Sequence, residues 1–165
     1  MSHIRFPVLA VGTLVLVGAF SMTALSQELL TEKAISVDMA QAMAQAALAQ
    51  CRANGYRVTA TVLDSGGNLK VVIRDDGAAL VTVDLSHRKA YSAVAFRRTS
   101  GETAKAFGAM SPPPNVAGTV MLAGGVPIKV GNDTIGAIGV SGAPGGDKDE
   151  ACANAGIAKV ADRLK

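Results

Sequence analysis

The sequence contains no tryptophan, and its two tyrosines and four phenylalanines are scattered along 165 residues. Its formal net charge of +3 is too small to suggest a strongly basic surface. Proteins that bind nucleic acid usually carry a basic stripe and often stack bases on aromatic side chains. The composition therefore predicts no nucleic-acid partner.

Charged residues are also absent from one long stretch near the N-terminus, residues 6–24. Arg5 precedes this stretch, and Ala24 and Ser26 place small residues at the −3 and −1 positions of a cleavage site after residue 26. A basic start, an apolar centre and small residues before the cut are typical of a secretory signal peptide. We therefore predict that residues 1–26 are a signal peptide.

A permanent membrane anchor is the alternative for the same stretch, because it is nearly long enough to span a bilayer. Pro7, Gly12, Gly18 and the small residues before the cut argue against an anchor. We expect residues 27–165 to form a single domain that is periplasmic or secreted and has no stable membrane anchor after cleavage.

Cysteine is scarce, with only Cys51 and Cys152 in the chain. Export would place them where disulfides persist, whereas two buried free thiols are the alternative. Cys51 ends the first predicted helix, and Cys152 lies at the beginning of the last predicted helix. A disulfide requires these helices to pack antiparallel on the same face of a sheet, and the sequence leaves the two possibilities open.

Hydrophobic periodicity and turn residues predict the element order α-β-β-α-α-β-β-β-α. Hairpins predominate and no βαβ repeat occurs, which indicates an α/β protein of the α+β type with an antiparallel sheet. The helices are predicted at residues 37–53, 84–98, 101–110 and from 147 onward, and the strands at 56–64, 69–74, 120–122, 126–130 and 134–141.

Helix starts are predicted from residues whose side chains accept backbone N–H bonds. Ser36 is the expected N-cap of the first helix, and Asp84 or Ser86 that of the second. Glu150 follows Asp147 at the spacing of a capping box, and we prefer this interpretation to a catalytic acid.

Several segments together resemble the GlcG/HbpS-like family. They are Val58-Thr-Ala-Thr-Val-Leu-Asp64 with Gly66-Gly67-Asn68-Leu69, Arg74-Asp75-Asp76-Gly77-Ala78, Arg88-Lys89-Ala90-Tyr91-Ser92-Ala93, Leu122-Ala-Gly-Gly-Val-Pro-Ile128, and Ile135-Gly-Ala-Ile-Gly-Val-Ser-Gly-Ala-Pro144 with Asp149-Glu150-Ala151.

The resemblance implies a five-stranded antiparallel sheet flanked by helices, and a homo-oligomer built from dimers. Exported members of the family bind haem, and some cytoplasmic relatives look like small-molecule lyases. We therefore expect haem, or another small anionic ligand, as the partner of this chain.

Histidine is scarce as well, and His87 is the only one outside the predicted signal peptide. His87, Tyr91 and Arg98 are spaced to share one face of the second predicted helix. An imidazole for the iron, a neighbouring phenol and a guanidinium for a propionate suit haem. His87 is thus the candidate metal ligand, and a solvated polar residue in a first helical turn is the alternative.

Other residues enter as further candidates for the ligand site. The resemblance implies that Ser100 stands where a threonine contacts the iron in some relatives. Arg74 and Asp76 either line a ligand cleft or form an ion pair that fixes the turn after the second strand. The cations Arg88, Lys89, Arg97 and Lys105 are expected to keep the surroundings positive.

Three functions remain open at this point. The first is an exported haem-binding protein that handles haem or iron, or that assists a periplasmic redox system. The second is an enzyme acting on a small carboxylated or aromatic substrate in an inter-subunit cleft, with a substrate held by Arg74 and Arg98. The third is an oligomeric interaction protein without a ligand.

Overall fold

The computed structural model describes residues 29–110 and 115–165. The predicted signal peptide lies outside the described residues and stays a prediction. Residues 32–165 form one compact unit. Among the described residues, no helix is both long enough and apolar enough to cross a bilayer.

Four helices and four strands make up the described fold. In chain order they are α1 (Val37–Ala53), β1 (Thr59–Asp64), β2 (Leu69–Arg74), α2 (Thr82–Phe96), α3 (Ser100–Gly108), β3 (Gly125–Val130), β4 (Asp133–Ser141) and α4 (Gly146–Ala158), followed by a 3₁₀ turn at Ala161–Arg163.

The strands form one antiparallel sheet in the order β2-β1-β4-β3, so the predicted five-stranded sheet is wrong in its strand number. The missing strand is the one predicted at residues 120–122, which form no ladder. Val120 instead exchanges hydrogen bonds with a side chain: its N–H donates to Ser92 Oγ at 2.9 Å, and its carbonyl accepts from the same hydroxyl at 3.1 Å. A hydroxyl on α2 thus accepts the Val120 N–H, and its single proton is shared between the carbonyls of Val120 and Arg88, the latter at 2.9 Å.

One face of the sheet is covered by α1 and α4, which pack against each other and enclose the main hydrophobic core. The two cysteines lie in this core, and both are fully buried. They form a disulfide with 5.6 Å between the Cα atoms of Cys51 and Cys152. The disulfide interpretation is therefore confirmed, and its condition of two helices on one sheet face is met.

The other face is covered by α2, which lies unusually close to the sheet. A Cβ atom at Gly139 of β4 would collide with the carbonyl oxygen of Ser86, so only glycine allows this approach. Hydroxyl pairs join the two layers: the Oγ atoms of Thr61 and Ser86 are 2.8 Å apart. Because α2 rests mainly on β1, β3 and β4, it leaves most of the same face of edge strand β2 uncovered.

Tertiary contacts move the helix ends away from their predicted places. The N-cap of α2 is Val81, which makes no side-chain cap bond, so the caps predicted at Asp84 or Ser86 are wrong. The helix ends at Phe96, because Arg97 takes the left-handed conformation with φ of 53°. By contrast, Ser36 caps α1 as predicted, accepting the N–H of Met39 at 3.2 Å.

The predicted capping box at α4 is also wrong. Glu150 Oε1 accepts the N–H of Gly101 at 3.1 Å and therefore satisfies the first turn of α3 rather than its own helix. The capping box that does form is at α3, between Thr99 and Glu102. One carboxylate thus connects α4 to α3, two helices that are far apart in sequence.

Candidate ligand-binding groove

An open groove lies between edge strand β2 and helix α2, where the helix leaves the sheet uncovered. Its cavity volume is about 370 Å³, within the range of small-molecule sites. We call it the β2–α2 groove; its lining residues are Thr61, Leu69, Val72, Leu80, Val83, Asp84 and His87.

The walls of the β2–α2 groove are mostly apolar and remain open to solvent. Leu80 is 81% exposed, Leu69 54% and Val72 42%. Strand β2 contributes two of these side chains, and the segment before α2 contributes the third. Apolar side chains that stay exposed beside one another mark a ligand or partner surface.

The groove offers few polar groups to a ligand. Thr61 Oγ1 is already paired with Ser86, and the Asp84 carboxylate binds Arg88 at 2.9 Å. His87 is half-buried on the same helical face as Asp84, and its imidazole makes no hydrogen bond to any of the residues that the structure describes. The imidazole is therefore the side-chain nitrogen donor that a ligand would meet in this groove.

Tyr91 lies one turn after His87 on α2 but does not line the groove. Its ring is held between two backbone turns: a Cβ atom at Gly67 would lie 2.9 Å from the ring, and one at Gly118 would lie 3.2 Å from it. Both glycines have positive φ, of 79° each, so their backbone conformation also favours glycine. Tyr91 thus ties α2 to the β1–β2 turn.

Arg98 does not share a face with His87, because the helix ends before it. The left-handed residue Arg97 redirects the chain, and Arg98 turns towards α3. There its Nε donates to Thr103 Oγ1 at 3.2 Å, and its guanidinium lies 5.6 Å from the centre of the Phe107 ring. The structure therefore does not bring Arg98 together with the groove.

Ser100 lies in the interior at the start of α3. Its side chain is fully buried, and its Oγ accepts the N–H of Gly125 at 2.8 Å. This bond joins α3 to the first residue of β3. The hydroxyl therefore stabilises the packing of α3 against β3, and it lies away from the β2–α2 groove.

Arg74 and Asp76 are both exposed, and they form no ion pair with each other. Arg74 Nε instead donates to the carbonyl oxygen of Ala78 at 2.9 Å. The buried acid of this turn is Asp75, which binds Arg52 at 2.7 Å and lies 3.8 Å from Arg57. The hydrogen bond from Arg52 holds the pKa of Asp75 below its ordinary value.

A buried ion pair joins Lys89 of α2 to Asp149 of α4, with 2.7 Å between Nζ and Oδ2. The expectation that Lys89 contributes positive surface charge is therefore wrong. Asp149 also accepts the N–H of Ala143 at 3.0 Å, and burial raises the pKa of its carboxyl. No local pattern pairs two residues so far apart in sequence, although Gly124 and Gly125 mark where the lysine passes the sheet.

Sequence reasoning found His87 but missed the apolar wall of the groove. The available signal was weak: four of the six residues of β2 are apolar although the strand lies at a sheet edge, and Leu80 precedes a helix start. In residues 29–110 and 115–165, no group of three or more histidine, cysteine or acidic side chains is placed to hold a metal ion.

Known proteins resemble this chain in both sequence and fold. Protein GlcG of Escherichia coli strain K12 is 33% identical over 112 residues, which cover 67% of this chain and 84% of GlcG. An uncharacterised 15.0 kDa protein of Citrobacter freundii, from the dhaT-dhaS intergenic region, is 33% identical over 125 residues, covering 71% of this chain and 84% of that protein.

Solved structures are also similar to this chain. A crystal structure of HbpS superimposes with a TM-score of 0.76 and 35% identity, covering 79% of this chain and 93% of that one. A complex of PduOC with haem shares the fold, with a TM-score of 0.69 and 23% identity over 77% of this chain and 95% of that one.

A family model described as haem degrading protein HbpS-like matches residues 35–158. This range contains every strand and helix of the described fold, and it also contains the β2–α2 groove. The resemblance to GlcG and HbpS deduced from the sequence is thereby confirmed, and the chain belongs to the HbpS-like family.

Proposed function

We propose that this protein is an exported haem-binding protein in which the β2–α2 groove receives haem and His87 ligates the iron. The observation that carries the proposal is the position of His87 in an otherwise apolar, open groove. Membership of a family described as haem degrading supports it. A neighbour that shares the fold, PduOC, has been crystallised with haem.

The chemical types of the residues that line the groove, apolar side chains and one imidazole, fit a haem group. The side chains of Leu69, Val72, Leu80 and Val83 provide an apolar wall that would exclude water from one face of a porphyrin. Imidazole is a common axial ligand of haem iron. Haem would supply a redox-active iron, which the protein's own side chains lack.

The openness of the groove suits uptake and transfer of haem rather than permanent enclosure. The wall residues remain substantially exposed, and only one imidazole is available in the groove. Tyr91 holds α2 against the β1–β2 turn, which keeps the backbone of His87 in place one turn earlier. We therefore propose that the protein holds haem reversibly, as a carrier or as an accessory to a redox system.

Export belongs to the same proposal. The predicted signal peptide at residues 1–26 supports it, and so does the disulfide between Cys51 and Cys152, because disulfides persist in oxidising compartments outside the cytosol. The exposed apolar wall is compatible with the homo-oligomer that the family resemblance implies.

The enzyme alternative has less support from the geometry. It needs Arg74 and Arg98 to hold one carboxylated substrate, but Arg98 is turned towards Thr103 and Phe107 of α3. Within one chain these two guanidinium groups do not face the same groove.

Haem titration of the purified protein from residue 27 onward tests the proposal. We expect the Soret band of haem to shift on binding, and we expect His87→Ala to weaken binding by about tenfold or more, as loss of a metal ligand would. Lys105→Ala is a matched control, because Lys105 is exposed on α3 and does not line the groove.

Ser100→Ala separates the two candidate iron contacts. It should leave the haem spectrum unchanged, since the Ser100 hydroxyl is buried and engaged with Gly125. No Soret shift with the unmodified protein at micromolar haem would contradict the proposed function. A spectrum that depends on Ser100 but not on His87 would contradict the assignment of the ligand.

A further inference from the structure

A cation of strand β2 follows the two residues with which this strand lines the β2–α2 groove. Leu69 and Val72 line it from β2, and Arg74 is the next residue of that strand on the same face, since Val72 pairs with Thr61 and Arg74 with Thr59. The carbonyl of Ala78, which holds Arg74, lies two residues before Leu80, another lining residue. Arg74 therefore bounds the end of the groove at which Leu80 lies.

The guanidinium of Arg74 is held in place by the backbone. Its Nε donates to the Ala78 carbonyl at 2.9 Å, and one of its terminal nitrogens donates to the same oxygen. The second terminal nitrogen makes no hydrogen bond within the part of the chain that the structure describes, and the residue as a whole is exposed. A fixed arginine with an unused donor binds a carboxylate at a lower cost in side-chain entropy than a mobile one.

The charge of Arg74 is also uncompensated within 4 Å among the described residues. Asp75, its sequence neighbour, is engaged by Arg52 and Arg57. Arg88, another cation on this side of the sheet, is engaged by Asp84. Arg74 is therefore a cation on this side of the sheet that forms no ion pair with a carboxylate of residues 29–110 or 115–165.

We infer that Arg74 recognises the carboxylates of the ligand, so that the groove selects carboxylated tetrapyrroles over uncharged ones and orients them with their carboxylates at the Leu80 end. The inference rests on the proposed function and adds a residue that determines specificity. It also replaces the guanidinium predicted for this task from the sequence, Arg98, which lies against α3.

The test compares haem with its dimethyl ester, in which both propionates are methylated and carry no charge. For the unmodified protein we expect the ester to bind about tenfold more weakly than haem, the effect of losing one charge-assisted hydrogen bond. Arg74→Gln should weaken haem binding by a similar factor and change ester binding less than about twofold, since the ester has no carboxylate to lose.

Two further variants control for structure and for general charge. Arg74→Lys keeps the cation and should recover most of the preference for haem over the ester. Lys70→Gln removes a cation from the other end of β2. It should lower the affinity for haem and for the ester by less than about twofold each. Thermal melts of all variants establish that the fold is retained.

The outcomes separate this inference from the function on which it rests. If the unmodified protein binds the ester as tightly as haem, or if Arg74→Gln weakens both ligands equally, the inference is wrong while haem binding stands. If the unmodified protein shifts the spectrum of neither ligand, the proposed function fails, and the inference fails with it.

Discussion

Lys89 Nζ lies 2.7 Å from Asp149 Oδ2, and both side chains are almost completely buried. Lys89 belongs to α2 on one face of the sheet, and Asp149 belongs to α4 on the other. The pair therefore connects the two helical layers beside the glycines at the start of β3.

Removing one partner of this pair should strongly destabilise the protein. Lys89→Met leaves the Asp149 carboxylate buried without its cation, and we expect the free energy of unfolding to fall by about 3–5 kcal/mol. Urea unfolding followed by circular dichroism measures it. The double variant Lys89→Met with Asp149→Leu should recover much of the loss, because no uncompensated charge remains; a loss equal to the sum of the two single variants would contradict this account.

The Asp75 carboxylate should make the protein more stable above the ordinary aspartate pKa of 3.8 than below it. The hydrogen bond from Arg52 lowers the pKa of Asp75 in the folded state, so the unfolded chain binds the proton first as the pH falls. The stability that Asp75 contributes is thus present above pH 3.8 and is lost as the pH falls from there through the lower folded-state pKa.

Asp75→Asn should therefore reduce the free energy of unfolding at pH 6, and the difference from the unmodified protein should shrink below pH 3.8. Urea unfolding over this pH range measures both proteins. Asp76→Asn is the matched control, because this neighbouring carboxylate is exposed and forms no ion pair with residues 29–110 or 115–165. A difference that stays constant with pH would show that Asp75 acts through something other than its charge.

Loss of the disulfide should weaken the fold and leave the groove intact. The bond joins residues 101 positions apart, and a loop of this length corresponds to about 4–5 kcal/mol of unfolding free energy in the chain-entropy description. Replacing both cysteines with alanine should lower the melting temperature markedly. Haem affinity should change by less than about twofold, because the bond lies in the α1–α4 layer on the opposite face of the sheet.

A reductant provides the control for this experiment. It should lower the melting temperature of the unmodified protein towards that of the double variant, and it should leave the variant itself unchanged. If the double variant loses haem binding while it remains folded at the assay temperature, the two faces of the sheet are coupled.

Gly139→Ala should push α2 away from the sheet. The added methyl group collides with backbone atoms of Ser86 and Ala90, which cannot move independently of the helix. Overpacking of this kind costs about 1–3 kcal/mol of unfolding free energy, and it should also alter haem binding, because α2 carries His87. Gly108→Ala in α3 is the matched control: no atom lies within 4 Å of the added methyl, so it should be neutral or slightly stabilising.

The elements predicted best are those whose signals are local. Strand β2 occupies the predicted residues, and α1 begins at its predicted cap, Ser36. The strand predicted at residues 120–122 is wrong: these residues pair with no strand, and the backbone of Val120 bonds the Ser92 hydroxyl of α2. The capping box at α4 failed for a related reason, since Glu150 binds the N–H of Gly101 in another helix. When a side chain can bond several backbone groups, the packing of the helices determines which of them becomes its partner.

Local sequence signals predicted only part of the candidate site as well. His87 follows from the scarcity of histidine in the sequence. Its place in an apolar groove required the structure, because the walls come from an edge strand and from the segment before α2. Arg98 was spaced to share its helical face, but one left-handed residue, Arg97, ends the helix before it.

The family, the hairpin pattern of the sheet and the residue types suited to haem could all be predicted from the order of residues along the chain. Each of these depends on neighbours along the chain or on segments in a recognisable order. The folded structure was needed to show that Cys51 meets Cys152, that Lys89 is buried against Asp149, and that Arg98 lies against α3 and not in the groove. These relationships depend on how the helices lie across the sheet. Close approaches such as that of α2 over Gly139 set the positions of the helices, and such approaches leave no periodic pattern in the sequence.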